Sequence, residues 1–159
     1  FKSQLIDKSG KEVGSAIAEL KLAANSSSNC QFKIRLKNPL LWEPDAPYLY
    51  DLKINILDKK GEILDAFKKR IGIRSIEMKG KEGLFLNGKP YREKLIGANR
   101  HQDFAHIGNA LSNNLHYRDA LKLRQVGMRV IRSAHYVQDP AFMDACDELG
   151  LFTLSLIHI

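Results

Sequence analysis

The chain has 159 residues, 44% hydrophobic and 27% charged, a balance that supports a packed core and excludes an intrinsically disordered segment. Its formal net charge of +7 is scattered: Lys59-Lys60 and Lys68-Lys69-Arg70 are broken up by Asp and Glu, with no aromatic-interleaved basic stripe, so no nucleic-acid partner is expected. No apolar run approaches the roughly 20 residues of a spanning helix, so no membrane partner is expected, and an opening of Phe1-Lys2-Ser3-Gln4 reads as a piece cut from a longer protein.

Residues 1–75 read as antiparallel β-structure. Ala16 to Leu22, Gln31 to Leu36, Tyr48 to Leu57 and Glu62 to Ile73 are short, partly alternating runs separated by turn residues. Asp7-Lys8-Ser9-Gly10 and Asp58-Lys59-Lys60-Gly61 each end a polar tetrad in Gly, where a hairpin needs positive φ. Leu52, Ile54 and Ile56 alternate with Asp51, Lys53 and Asn55, which gives one face to a core and one to water. Short strands with turns at this spacing predict a β-sandwich.

From residue 76 the pattern changes, and residues 76–153 read as a second domain. Leu84 to Tyr91 is a hairpin signal, because Asn87-Gly88 readily takes the two positive-φ positions of a tight turn. Lys94 to Ala98 is short and largely apolar, as a buried strand would be. Tyr117, Ala120, Leu121 and Leu123 have helical spacing, with Gly127 placed to cap the C-terminus. Val130-Ile131 gives a second buried strand. Asp139-Pro140 then marks a helix start, Phe142, Met143, Cys146 and Leu149 form an apolar stripe, and Gly150 ends it before a third strand, Leu151 to Leu154. The order strand, helix, strand, helix, strand predicts parallel pairing and the opening of a larger α/β domain, either a barrel or a doubly wound sheet.

Cys30 and Cys146 fall in different predicted domains, so no disulfide is expected. No Cys or His cluster has metal-ligand spacing, and no phosphate-binding loop or dinucleotide fingerprint occurs. No metal site or cofactor is called for by the residues present.

In a (β/α) barrel, functional side chains gather after the C-terminal ends of the strands. Asn99-Arg100-His101-Gln102-Asp103 follows the first expected strand, and Arg132-Ser133-Ala134-His135-Tyr136 follows the second. Imidazole, guanidinium and carboxylate groups at two successive strand ends supply the donors and acceptors that a hydroxyl-rich ligand needs. Each residue also has a structural alternative: His101 or His135 as a hydrogen-bonded core histidine, and Arg100 or Arg132 as a strand-end ion-pair partner. His106 and His116 read as loop or helix-start residues.

Several ordered segments resemble glycoside hydrolase family 2, the β-galactosidase and β-glucuronidase family. Trp42-Glu43-Pro44-Asp45-Ala46-Pro47-Tyr48-Leu49-Tyr50 is similar to a W-x-P-x-x-P-x-L-Y segment of its immunoglobulin-like domain, and Gly72-Ile73-Arg74 to its linker strand. Phe85 to Pro90, Gly97 to His101 and Ile131 to Tyr136 resemble the opening of its catalytic barrel. The resemblance implies an immunoglobulin-like β-sandwich over residues 1–75, N-terminally incomplete, followed by about three βα units of a TIM barrel over residues 76–153.

It also implies a parent enzyme that hydrolyses terminal β-linked sugars with retention, β-galactosides first and β-glucuronides or β-mannosides as alternatives. The nucleophile and the acid/base would be two glutamates from later barrel strands, with carboxyls roughly 5 Å apart. His101 and His135 match the histidines that bond the sugar, and Arg132 the arginine beside the nucleophile. Asn99 and Arg100 would shape the subsite, Asp103 would contact a sugar hydroxyl, and Gln102 stands where Glu is common among the galactosidases. The partner implied is a carbohydrate and the parent a homo-oligomer, with metal ions assisting some relatives. Two rivals are a noncatalytic carbohydrate-binding sandwich, which has no use for histidines in an appended α/β segment, and a nucleotide-binding domain, which needs a glycine-rich loop after its first strand.

The last six residues, Leu154-Ser155-Leu156-Ile157-His158-Ile159, are also what a common sequencing-library transposon adaptor encodes. Residues 154–159 are therefore expected to be an adaptor artefact, and authentic sequence to end near Thr153.

Overall fold

A computed structural model describes residues 1–155; most of the expected adaptor-derived tail, residues 156–159, lies outside the described residues. The chain divides into two units, Phe1–Leu40 with Leu49–Ile71, and Leu41–Tyr48 with Gly72–Ile159.

The first unit is built on one antiparallel sheet in the order β2-β1-β3-β4, with β1 (Lys2–Ile6), β2 (Glu12–Ile17), β3 (Tyr50–Leu57) and β4 (Ile63–Ile71). Both polar tetrads are its hairpin turns. Asp7 Oδ1 accepts from the N–H groups of Ser9 and Lys11, and Asp58 Oδ1 from those of Lys60 and Glu62. Gly10 and Gly61 both sit at φ +86°. The strand register slips beside each turn, at Leu5/Ile6 and Ile56/Leu57, as the extra turn residue requires.

Two expected strands differ here. β2 ends at Ile17 rather than reaching Leu22, and Gln31–Leu36 pairs with no strand, although the Ile34 and Leu36 side chains lie against Gly14. Alternation records which face a segment buries, not whether a neighbouring backbone is within hydrogen-bonding reach. Of the expected sandwich, one sheet is formed among the described residues.

The second unit begins with a segment that is distant in sequence from the rest of it. Trp42 is fully buried there: its indole N–H donates to the Asp147 carbonyl at 2.7 Å, its ring meets Phe152 edge-on at 5.5 Å, and the Arg74 guanidinium lies 4.4 Å above it. Sequence position groups residues 41–48 with the β-domain; their contacts place them with the second unit. A small antiparallel sheet follows, β5 (Ile76–Met78), β6 (Leu84–Leu86) and β7 (Lys89–Pro90), turning through Asn87 and Gly88 at φ 53° and 75°.

The remainder is β8 (Gly97–Arg100), α1 (Asn113–Gln125), β9 (Val130–Ser133), α2 (Pro140–Leu149) and β10 (Phe152–Leu154), with the strands parallel in the order β10-β9-β8. The first of these strands lies later than Lys94–Ala98: Leu95 and Ile96 are exposed, and pairing starts at Gly97 opposite Val130. A Cβ on Gly97 would stand 2.0 Å from the Val130 carbonyl oxygen, so the close approach begins where the side chain vanishes.

Helix α2 forms as its signals direct. The Asp139 carboxylate caps Ala141 N at 2.8 Å, Pro140 opens the first turn, and Gly150 closes the last at φ 73°. Its stripe buries Phe142, Ala145 and Cys146 against Ala120, Ile131 and Leu151. Each large apolar side chain buried in this way contributes about 1.5–3 kcal/mol. Cys30 and Cys146 are both free thiols, and burial pushes that of Cys146 up to about 12.

Candidate functional site

Side chains on successive residues of a strand point to opposite faces, and the C-terminal ends of β8 and β9 use this alternation to sort their polar groups. Asn99 and Arg132 are register partners and share one face, where Arg132 Nη1 donates to Asn99 Oδ1 at 3.0 Å. Beyond the strands, His101 and His135 approach edge to face with ring centroids 5.7 Å apart. Tyr136 joins them, its ring 6.4 Å from His101. His101, His135, Tyr136, Asn99 and Asp103 are exposed, and Arg132 is half-buried. The Ala134–His135 peptide bond is cis.

The two imidazoles expected in one pocket are therefore neighbours at the same strand ends. Asp103 stands further along the loop, outside the hydrogen bonds that join this group. A cleft of about 330 Å³ elsewhere in the unit, lined in part by Asp45, Tyr91 and Glu93, shares no residue with the pair.

Arg100 departs from expectation as a ligand-facing residue. It is on the opposite face from Asn99, 5% exposed, with its guanidinium turned toward the helices. Nη1 donates to Gln138 Oε1, and Nη2 donates to Asp119 Oδ2 at 2.8 Å. The guanidinium carbon lies 3.9 Å from the centre of the Phe142 ring. The strand-end ion pair that the sequence left open is the arrangement found, with Arg100 turned away from the face that Asn99 and Arg132 share.

His116, at the start of α1, is fully buried with Nδ1 3.3 Å from Arg100 Nη2. A guanidinium only donates, so Nδ1 is the acceptor and the ring proton is on Nε2, which faces Asp139 Oδ2 at 4.0 Å. Burial first, and then the Arg100 charge, hold the imidazole pKa below its ordinary value. Sequence reading gave His116 no such place, and it passed over Asp119 and Gln138. The usable signal is strand alternation: if Asn99 faces the rim, Arg100 faces the helices and needs partners there.

Gln102 faces neighbouring loops. Its backbone N–H donates to Tyr136 Oη at 2.7 Å, its Oε1 accepts from Asp139 N at 2.7 Å, and its Nε2 reaches Asn109 O at 3.5 Å. The amide uses both its donor and its acceptor, which a carboxylate could not do.

The family model "Glycosyl hydrolases family 2" matches residues 1–74, and "Glycosyl hydrolases family 2, TIM barrel domain" matches residues 76–156. A protein of Formosa agariphila that carries a beta-glucuronidase name is 39% identical over 149 residues, covering 94% of this chain and 17% of the relative. A beta-galactosidase of Thermoanaerobacter pseudethanolicus is 34% identical over 156 residues, covering 98% and 20%. Among solved structures, a glycosyl hydrolase family 2 member from Bacteroides cellulosilyticus superposes with a TM-score of 0.88 at 27% identity, covering 96% of this chain and 21% of that one. The chain thus spans about a fifth of the length of the relatives it matches. The parallel β8-α1-β9-α2-β10 array is the opening of a TIM barrel, preceded by a β-domain, and the chain belongs to glycoside hydrolase family 2.

Proposed function

We propose that this chain supplies part of the sugar-binding rim of a retaining β-glycosidase, with β-galactosides as substrate. The observation that carries the reading is the His101–His135 pair, 5.7 Å apart at the C-terminal ends of two adjacent parallel strands. That is the end of a (β/α) barrel where ligands bind. Each ring offers a donor and an acceptor to vicinal hydroxyls of the terminal sugar, and contacts that tighten as the ring flattens lower the barrier. Arg132, held by Asn99 at the end of the neighbouring strand, would favour the ionised form of a nearby glutamate nucleophile. Asp103 accepts from an outlying hydroxyl. In this reading the β-domain is an immunoglobulin-like sandwich, and β8, β9 and β10 begin the first three βα units of the barrel.

A second specificity, β-glucuronide, is favoured by the 39% identity to a relative bearing that name. The two differ by a carboxylate at the sugar's C6, for which Arg132 would be the cationic partner in this reading.

The complete enzyme is assayed with nitrophenyl β-galactoside and nitrophenyl β-glucuronide. A galactoside preference in kcat/KM of roughly tenfold or more, equivalent to about 1.4 kcal/mol, is expected. A preference for the glucuronide that is abolished by Arg132→Gln overturns the galactoside assignment.

A further inference from the structure

We propose that Arg100 is a positioning residue for His135, acting through the loop Ala134–Gln138; the proposal rests on the sugar-binding role assigned above to the histidine pair. Arg100 holds this loop at both ends. At the near end, Ala134 N donates to the Arg100 carbonyl at 3.0 Å. At the far end the Gln138 side chain, itself 3% exposed, takes the Arg100 guanidinium on Oε1 and returns Nε2 to the Arg100 carbonyl at 3.5 Å. The same Nε2 reaches the Tyr136 carbonyl at 3.5 Å. His135 and Tyr136, between these anchors, are exposed, and His135 carries the sugar-binding role assigned above. Tyr136 Oη accepts from Gln102 N, so the far side of the loop is also tied to the residue after His101.

The guanidinium in turn is fixed from both helices. Asp119 and His116 hold it from α1, and the Phe142 ring of α2 lies against its face. A planar fork can meet Gln138, Asp119 and His116 at once while stacking on an aromatic ring; an ammonium has neither the plane nor the reach. Arg100→Lys therefore keeps the buried charge and the bonds to the residue 100 carbonyl, but removes the guanidinium's hold on Gln138 Oε1 and so loosens the far end of the loop. Because a loosened imidazole misplaces transition-state contacts more than it weakens ground-state binding, the loss falls on kcat.

The test is a double-mutant cycle in the complete enzyme, with folding of each variant confirmed by its melting curve. Arg100→Lys alone is expected to lower kcat by on the order of 10- to 100-fold, with a smaller change in KM. In a His135→Ala background the same substitution is expected to cost less than about threefold, because the group it positions is gone. Gln138→Met, which leaves the guanidinium in place, repeats the comparison and carries the test if Arg100→Lys does not fold. Equal losses in both backgrounds overturn the positioning role while leaving the histidine assignment standing. Unchanged activity of His135→Ala overturns the histidine assignment, and the positioning role with it.

Discussion

His116 occupies the first turn of α1 with no exposed surface, between the Arg100 guanidinium and the carboxylates of Asp119 and Asp139. Desolvation and the neighbouring guanidinium disfavour its protonation more than the two acids favour it. Above about pH 6.5 the imidazole is neutral in both folded and unfolded chains and contributes no pH dependence. Below it the unfolded chain takes up a proton that the folded chain refuses until its own, lower pKa is reached, so stability falls as pH drops through that window. The melting temperature should therefore decline as pH drops below about 6.5, and His116→Gln should make the decline shallower. An unchanged slope in the variant would show that the folded protein accepts the proton. Sequence placed this histidine at the helix start but not in the core, because its burial depends on Arg100, sixteen positions earlier, turning away from the rim. The exposed pair was legible for the opposite reason: His101 lies one residue and His135 two residues past the end of a strand, and neighbouring strand ends lie side by side in a parallel sheet.

Both helices of the second unit end in glycine at positive φ, yet the two positions differ in kind. Gly127, at φ 85°, has open space where a Cβ would be; Gly150, at φ 73°, would place a Cβ 1.9 Å from the Pro44 carbonyl oxygen. Gly127→Ala should cost about 1 kcal/mol, the price of a left-handed conformation alone. Gly150→Ala should exceed about 2 kcal/mol, because the backbone of residue 44 must also move. Thermal unfolding of the two variants side by side measures the difference, and equal losses would mean that the Pro44 segment yields freely. The caps were legible from local spacing, as were the Asp-to-Gly turns and the Asn87-Gly88 hairpin, since each depends on a few adjacent residues. The Pro44 contact was not. Nor were the start of β8 and the missing strand at Gln31–Leu36, where pairing with distant backbone, not local composition, sets the outcome.

At the scale of the molecule, the second unit joins a distant segment to the first strands of a barrel. Trp42 and Asp45 both take part: the indole packs edge-on against Phe152, and the Asp45 carboxylate takes Arg124 and Arg129, each at 2.6 Å. Hydrogen bonds from Arg129 and then Arg124 hold that carboxyl below its usual range. The family was legible because its motifs occur in order along the chain, whereas the three-dimensional grouping of residues 41–48 with the barrel was hidden by the intervening sequence. In the proposed reading, the remaining strand ends of the complete enzyme would surround the space above β8 and β9. The most direct measurement is a crystal structure of that enzyme with a sugar-mimicking inhibitor bound. Both imidazoles, His101 and His135, are expected within about 3.2 Å of inhibitor hydroxyls, with Arg100 still buried. An inhibitor seated away from both rings, or the two rings separated and packed into apolar surroundings, would contradict this.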